Sequence, residues 1–166
     1  MMIRIFAAVF ALFGQIACAD GLPAPEGPVI LTVTGDITRT NGDGIAEFDR
    51  EMLDNLAQRA TTATTPWLEG PHTFSGPMGT AILDAVGAQG ETIQVVALND
   101  YSADVPVQDL RDFDVIFATA IDGEILTVRD KGPLFLIYPF DENPDLFNEV
   151  YFGRSVWQIT QINVQN

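Results

Sequence analysis

The run "PLFLIYP", from Pro133 to Pro139, constrains this chain more than any other stretch. It is short enough for a strand and carries no charged side chain to turn toward water at alternate positions. A strand with that pattern is covered on both faces, so the fold must place a layer on either side of it. Gly132-Pro133 sets the turn into the strand. Pro139 ends it, because proline has no N–H to give to a ladder. Arg129 and Lys131 precede the run and Asp141-Glu142 follow it.

The rest of the chain supplies those layers in mixed order. "PVILTVTGDI" (28–37) alternates and is rich in β-branched residues, which predicts a strand. "TNGDG" (40–44) offers Asn-Gly and Asp-Gly, which accommodate the positive φ of a tight turn, so "IAEF" is expected to return as the paired strand. Asn41, Asp43 and Glu47 lack the ordered spacing and glycine of a calcium loop, and a turn is the better reading. "FDREMLDNLAQRA" puts Phe48, Met52, Leu53 and Leu56 on one helical face, with Asp49 as the cap. "TTATTPWLEGPHTFSGP" (61–77) has no clean period and reads as a long connection of the sort that carries function.

"MGTAILDAV" is a second helix stopped by Gly87 and Gly90, and "VPVQDLRDF" a short one with Pro106 near its first turn. "ETIQVVALNDY" is a strand with a polar end, and "DVIFATAI" passes through Asp122-Gly123 into "EILTV" as a hairpin. Pro144 opens a short helical piece, and "SVWQITQINV" closes the chain as a strand with a bulge at Thr160-Gln161. Strands outnumber helices without a βα alternation, which gives an α+β fold, mostly strands with a few short helices.

The first segment, "MMIRIFAAVFALFGQIACAD", has a cationic start at Arg4, an apolar run from Ile5 to Phe13, and Ala17-Cys18-Ala19 as a small-x-small cleavage site. A bilayer needs roughly 20 apolar residues in a helix, so the segment is read as a signal peptide over 1–19, leaving a single domain over 20–166 in the periplasm. Cys18 is the only cysteine, so the cleaved chain has no thiol and no disulfide. A lipoprotein acylated at Cys18 is the alternative, with Gln15 standing where an aliphatic residue is usual. Arg4 is the only charge in residues 1–19, so its loss takes the net charge from −15 to −16. Such a surface repels nucleic acid and anionic membranes alike, which excludes both as partners.

Four segments, in this order, carry a resemblance. "FSGPMGTAIL", "LNDYSADVP", "AIDGEIL" with "KGPLFLIYP", and "GRSVWQITQINV" are similar to the helix start, the Asp-Gly-Tyr segment, the DG-x-x-L hairpin with its Pro-Leu-Arg strand, and the closing Lys-Trp segment of one family. The chain resembles the molybdopterin-binding domain of the sulfite oxidase family in stand-alone, secreted form, over most of Pro28 to Val164. The resemblance implies that family's mixed-sheet fold. It also implies a cysteine thiolate for molybdenum in the loop before the second helix, here "TTATTPWLEG", where this sequence has threonines. A threonine hydroxyl keeps its proton near neutral pH, whereas a metal readily deprotonates a thiol. Phe135 replaces the family's arginine and Val156 the lysine before Trp157, removing groups suited to a pterin phosphate or an oxyanion.

The candidate cleft that follows comprises Trp67, His72, Asn99, Asp100, Tyr101, Arg129, Lys131 and Phe135, with no catalytic residue and no metal ligand. His72, the sole histidine, has no partners in sequence for a zinc site. The aromatic residues offer a planar ligand stacking area at low entropic cost. Arg129 and Lys131 could draw a small anion or neutralise nearby Asp130 and Asp122. The expected function is an exported, non-catalytic ligand-binding or sensory-accessory module, with a small molecule or another envelope protein as partner and no cofactor. The alternative is a molybdopterin-dependent oxidoreductase with a non-thiolate metal ligand.

Overall fold

The computed structural model describes residues 21–166, so the leader over 1–19 and the acylation of Cys18 lie outside the described residues. Fifteen elements follow in chain order. They are β1 (Leu31–Gly35), β2 (Ala46–Phe48), α1 (Arg50–Asp54), β3 (Gln58–Thr64), β4 (Pro71–Pro77), α2 (Gly79–Val86), β5 (Thr92–Ala97) and β6 (Ser102–Pro106). After these come α3 (Val107–Asp112), β7 (Ile116–Ala118), β8 (Ala120–Ile121), β9 (Glu124–Ile125), β10 (Phe135–Ile137), α4 (Glu149–Arg154) and β11 (Ile159–Gln165).

The strands form a five-stranded sheet in the order β2-β1-β11-β5-β6, a four-stranded sheet β3-β4-β8-β9, and a β10-β7 pair. Only β1 and β11 run parallel; the closing strand slots between β1 and β5 with its register shifting between Ile159 and Gln161, at the expected bulge. Every residue from Leu134 to Ile137 is fully buried, as the bracketed apolar run requires. These side chains join Leu31, Val33, Ile93, Val95, Ile162 and Val164 of the large sheet, and Ile82 and Val86 of α2, in one core cluster. The Asp122-Gly123 hairpin forms with both turn residues at positive φ, 51° and 84°, matching the twist of the flanking strands.

Asp49 caps α1 as its sequence position indicates. Its Oδ1 accepts from Met52 N at 2.9 Å, and its Oδ2 accepts from the Glu26 and Gly27 N–H groups at 2.8 and 2.7 Å. Those donors, the Met52 N–H foremost, hold this carboxyl below the ordinary aspartate range. The helix nevertheless ends at Asp54, and Gln58, Arg59 and Ala60, expected in it, belong to β3.

The long connection expected over 61–77 is a β-hairpin for most of its length. β3 pairs with β4 from Gln58↔Pro77 to Thr64↔Pro71. Thr61 and Ala63 point inward and Thr62 outward, so the period is two. It hides in the sequence because threonine and alanine are weakly apolar, although β-branched threonine suits a pleated surface. Beyond the hairpin, the outer edge of β3 is latched to the segment after β10 and to the connection between α3 and β7. Arg59 Nη1 reaches Asp114 at 2.9 Å and Nη2 reaches Glu142 at 2.8 Å, while Thr64 N donates to Asp141 Oδ1 at 2.8 Å. Charged partners of this kind keep a sheet edge from pairing with a second chain.

Candidate functional site

Six of the eight residues of the expected single cleft separate into two concavities, divided by the β3–β4 turn. Consecutive residues of that turn serve different sides: Trp67 lines one and Leu68 the other.

The first concavity has a volume of about 400 Å³. Trp67 from the turn, Asn99 and Tyr101 from the β5–β6 connection, Glu149 and Phe152 from α4, and Trp157 before β11 line it. The β5–β6 connection is a tight turn: Asp100 N donates to Ala97 O at 3.0 Å and Tyr101 N to Asn99 Oδ1 at 3.2 Å. Asp100 is exposed at φ 64° and does not line the cleft. It is the left-handed corner that aims its neighbours, a conformation short polar side chains tolerate. Tyr101 Oη donates to Gly153 O at 3.1 Å and so ties this turn to α4 across the cleft mouth.

The cleft's depth is built from aromatic corners. Trp67 meets Trp157 at 5.6 Å between centroids and Phe152 at 5.9 Å, both edge-to-face. Beneath them lies Phe135, fully buried, 5.7 Å from Trp67 and 5.9 Å from Trp157. Phe135 thus supports the cleft from within the core and lines neither concavity. Edge-to-face pairs of this kind fix ring orientation as well as burying area.

The second concavity holds His72, Arg129 and Lys131 together with Asp122, Glu124 and Asp130. His72 Nδ1 lies 2.7 Å from Asp122 Oδ2, and its Nε2 lies 3.1 Å from the Glu69 carbonyl. Both ring nitrogens face acceptors, which favours the doubly protonated ring. The hydrogen bond to Asp122 raises the imidazole's pKa, with the Glu69 carbonyl adding to it, and the same bond lowers that of Asp122. An imidazole so held is an ion-pair member with no nitrogen free to take a proton. Lys131 Nζ lies 4.6 Å from the Trp157 ring centroid, a cation–π contact made from this side.

Trp157, Phe152 and Glu149 are the lining residues that sequence reasoning missed. Trp157 stood in the quoted closing segment, and "VYF" within α4 was the available aromatic signal.

The residues present do not fit a molybdenum held by a thiolate with an anionic pterin. In "TTATTPWLEG" the buried Thr65 hydroxyl has no hydrogen-bond partner among the described residues, and it is a neutral oxygen where that chemistry needs a thiolate. The first concavity is lined by no lysine or arginine among the described residues, and Glu149 there repels phosphate. Among those residues no group of three or more His, Cys, Asp or Glu side chains is placed to hold a metal ion, and no helix is long and apolar enough to cross a membrane.

No protein-family model matches this chain, and no curated protein matches it. Among solved structures it is similar to the sulfane dehydrogenase SoxCD from Paracoccus pantotrophus, with a TM-score of 0.63 and 19% sequence identity. The match covers 81% of this chain but 37% of that one, so the present chain spans little more than a third of the enzyme it resembles. At that identity the likeness concerns the fold, and the described chain has the α+β, mostly stranded architecture of the sulfite-oxidase type.

Proposed function

We propose that this protein is a non-catalytic, exported module that binds a small ligand in its aromatic cleft, on a fold otherwise known in an oxidoreductase. One observation carries the reading. Both tryptophans of the chain converge, from turns some ninety residues apart, to line one concavity of about 400 Å³. That volume lies within the range of small-molecule sites, about 300–1,000 Å³. Among the described residues the same concavity has no thiol, no imidazole and no cationic side chain, so it offers stacking area and hydrogen bonding without an acid–base pair. Export rests on the leader sequence, and a partner protein at the cleft mouth is the alternative occupant.

Protein purified from its native host tests this. The expected result is molybdenum far below stoichiometric amounts, no pterin fluorescence after acid oxidation, and a retained small molecule in native mass spectrometry. Molybdenum at about one atom per chain would overturn the proposal and restore the molybdopterin-dependent oxidoreductase.

A further inference from the structure

The charge of the cleft narrows the class of its ligand, an inference that rests on the binding reading above. Glu149 is the one charged side chain lining the cleft among the described residues. It is exposed, and its carboxylate has no hydrogen-bond or ion-pair partner among those residues. Tyr101, Phe152, Trp67 and Trp157 line the same concavity. Aromatic faces attract cations through their quadrupole, and a group of such faces with a carboxylate is the arrangement that selects alkylated ammonium groups over neutral molecules of the same shape. Arg154, between the lining residues Gly153 and Ser155, and Lys131, on the Trp157 ring, are engaged elsewhere. Arg154 is paired with Asp109 at 2.8 Å, and Lys131 covers Trp157 from the neighbouring concavity. The seat for a ligand cation therefore lies toward Trp67, Tyr101 and Phe152. The chain's net charge of −15 adds a field that concentrates cations and repels anions.

We infer that the cleft binds a small organic cation, a quaternary or otherwise alkylated ammonium group carried on an apolar body.

The chain reports on this site by itself, because its only two indoles, Trp67 and Trp157, both line the cleft. Their two indole N–H resonances and their fluorescence are followed while choline, tetramethylammonium, the neutral isostere of choline with carbon in place of nitrogen, and benzoate are added in turn. The expected result is a saturable shift with choline and tetramethylammonium, and binding of the isostere about thirtyfold weaker, the size of a desolvated cation–π contact. Glu149→Gln should weaken choline about threefold, with salt lessening the difference, and leave the isostere unchanged. Equal binding of the isostere, preference for benzoate, or no response of either indole to the cations overturns the inference. The wild-type probe series decides alone if a variant fails to fold. Those failures leave the binding module standing where metal and pterin are absent, whereas stoichiometric molybdenum removes the module itself.

Discussion

Tyr138 offers the sharpest test of how α4, the helix that carries one wall of the cleft, is held in place. Its ring is fully buried just beyond β10, and its hydroxyl donates to Asp109 Oδ2 at 2.7 Å. The same oxygen accepts from Arg154 Nη1 at 2.8 Å, so one carboxylate oxygen of α3 joins the core to the last residue of α4. Tyr138→Phe removes the hydroxyl and nothing else. A hydrogen bond to a charged group contributes about 1.5–3 kcal/mol, and Asp109 keeps its arginine, so the expected cost is about 2 kcal/mol. For a domain of this size that lowers the melting temperature by about 6 °C. Alkaline pH supplies an independent readout. Burial first, and then the Asp109 carboxylate, push the Tyr138 pKa far above its ordinary 10.0. A raised folded-state pKa means that the stabilisation is whole below about pH 10 and is lost as pH rises beyond it, by about 1.4 kcal/mol per pH unit. Phenylalanine has no such loss, so the gap between wild type and variant should narrow above pH 10. Urea denaturation followed by circular dichroism measures both quantities. A cost below about 0.5 kcal/mol, or a gap that stays constant above pH 10, refutes the network as described.

Two further substitutions probe the walls on either side. The His72–Asp122 pair stabilises between two limits: it is lost at the acid end as Asp122 takes a proton at its lowered pKa, and at the alkaline end as His72 releases one above its ordinary 6.5. The melting-temperature gap between wild type and His72→Gln should therefore close as pH rises through the folded value, and an imidazole NMR titration with a midpoint at or below 6.5 would contradict the geometry. Gly76 lies where β4 crosses β7, and a Cβ there would run into Phe117 O and meet Ala118 Cα at 2.8 Å, both backbone atoms. Gly76→Ala should cost about 2 kcal/mol or more in denaturant titration, and a change under about 0.5 kcal/mol would show that the crossing is looser than drawn.

Where the sequence was legible, a local rule agreed with the tertiary environment. The bracketed apolar run, the Asp122-Gly123 hairpin, the Asp49 cap and the bulge before Gln161 each follow from a few adjacent residues, and each sits where those residues place it. The β3–β4 hairpin was illegible because Phe74 is its only large apolar inward residue; the other inward positions include threonine, alanine and glycine, whose burial follows from what packs on them and not from their own hydrophobicity. Helix α4 was caught only in part, because the helical piece expected from Pro144 to Val150 is a 3-10 turn at Pro144–Leu146 followed by the first two residues of α4. Six residues span less than two turns, too few for a period to show, and its aromatic pair turns inward only because Tyr138, Phe140 and Phe147 receive it. The division of the cleft depends on Trp67 and Leu68 facing opposite sides of one turn, which no spacing rule conveys.

The surroundings of Phe135 decide what that position can hold. Phe135 packs on Trp67, Phe74 and Trp157, none of which carries a charge. An arginine built into that position would bury a cation without a counter-charge on the rings around it, a cost of several kcal/mol that only a bound anion or a rebuilt neighbourhood could offset. Phenylalanine instead completes an apolar floor, on which Trp157 rests edge-to-face and Trp67 at a tilt of 59°. The basic residues that remain beside this strand, Arg129 and Lys131, face the other concavity among Asp122, Glu124 and Asp130. An apolar residue at position 135 and the placement of Arg129 and Lys131 on the other side act in the same direction. The cleft is then lined by aromatic rings and one carboxylate, Glu149, a lining that disfavours phosphates and oxyanions.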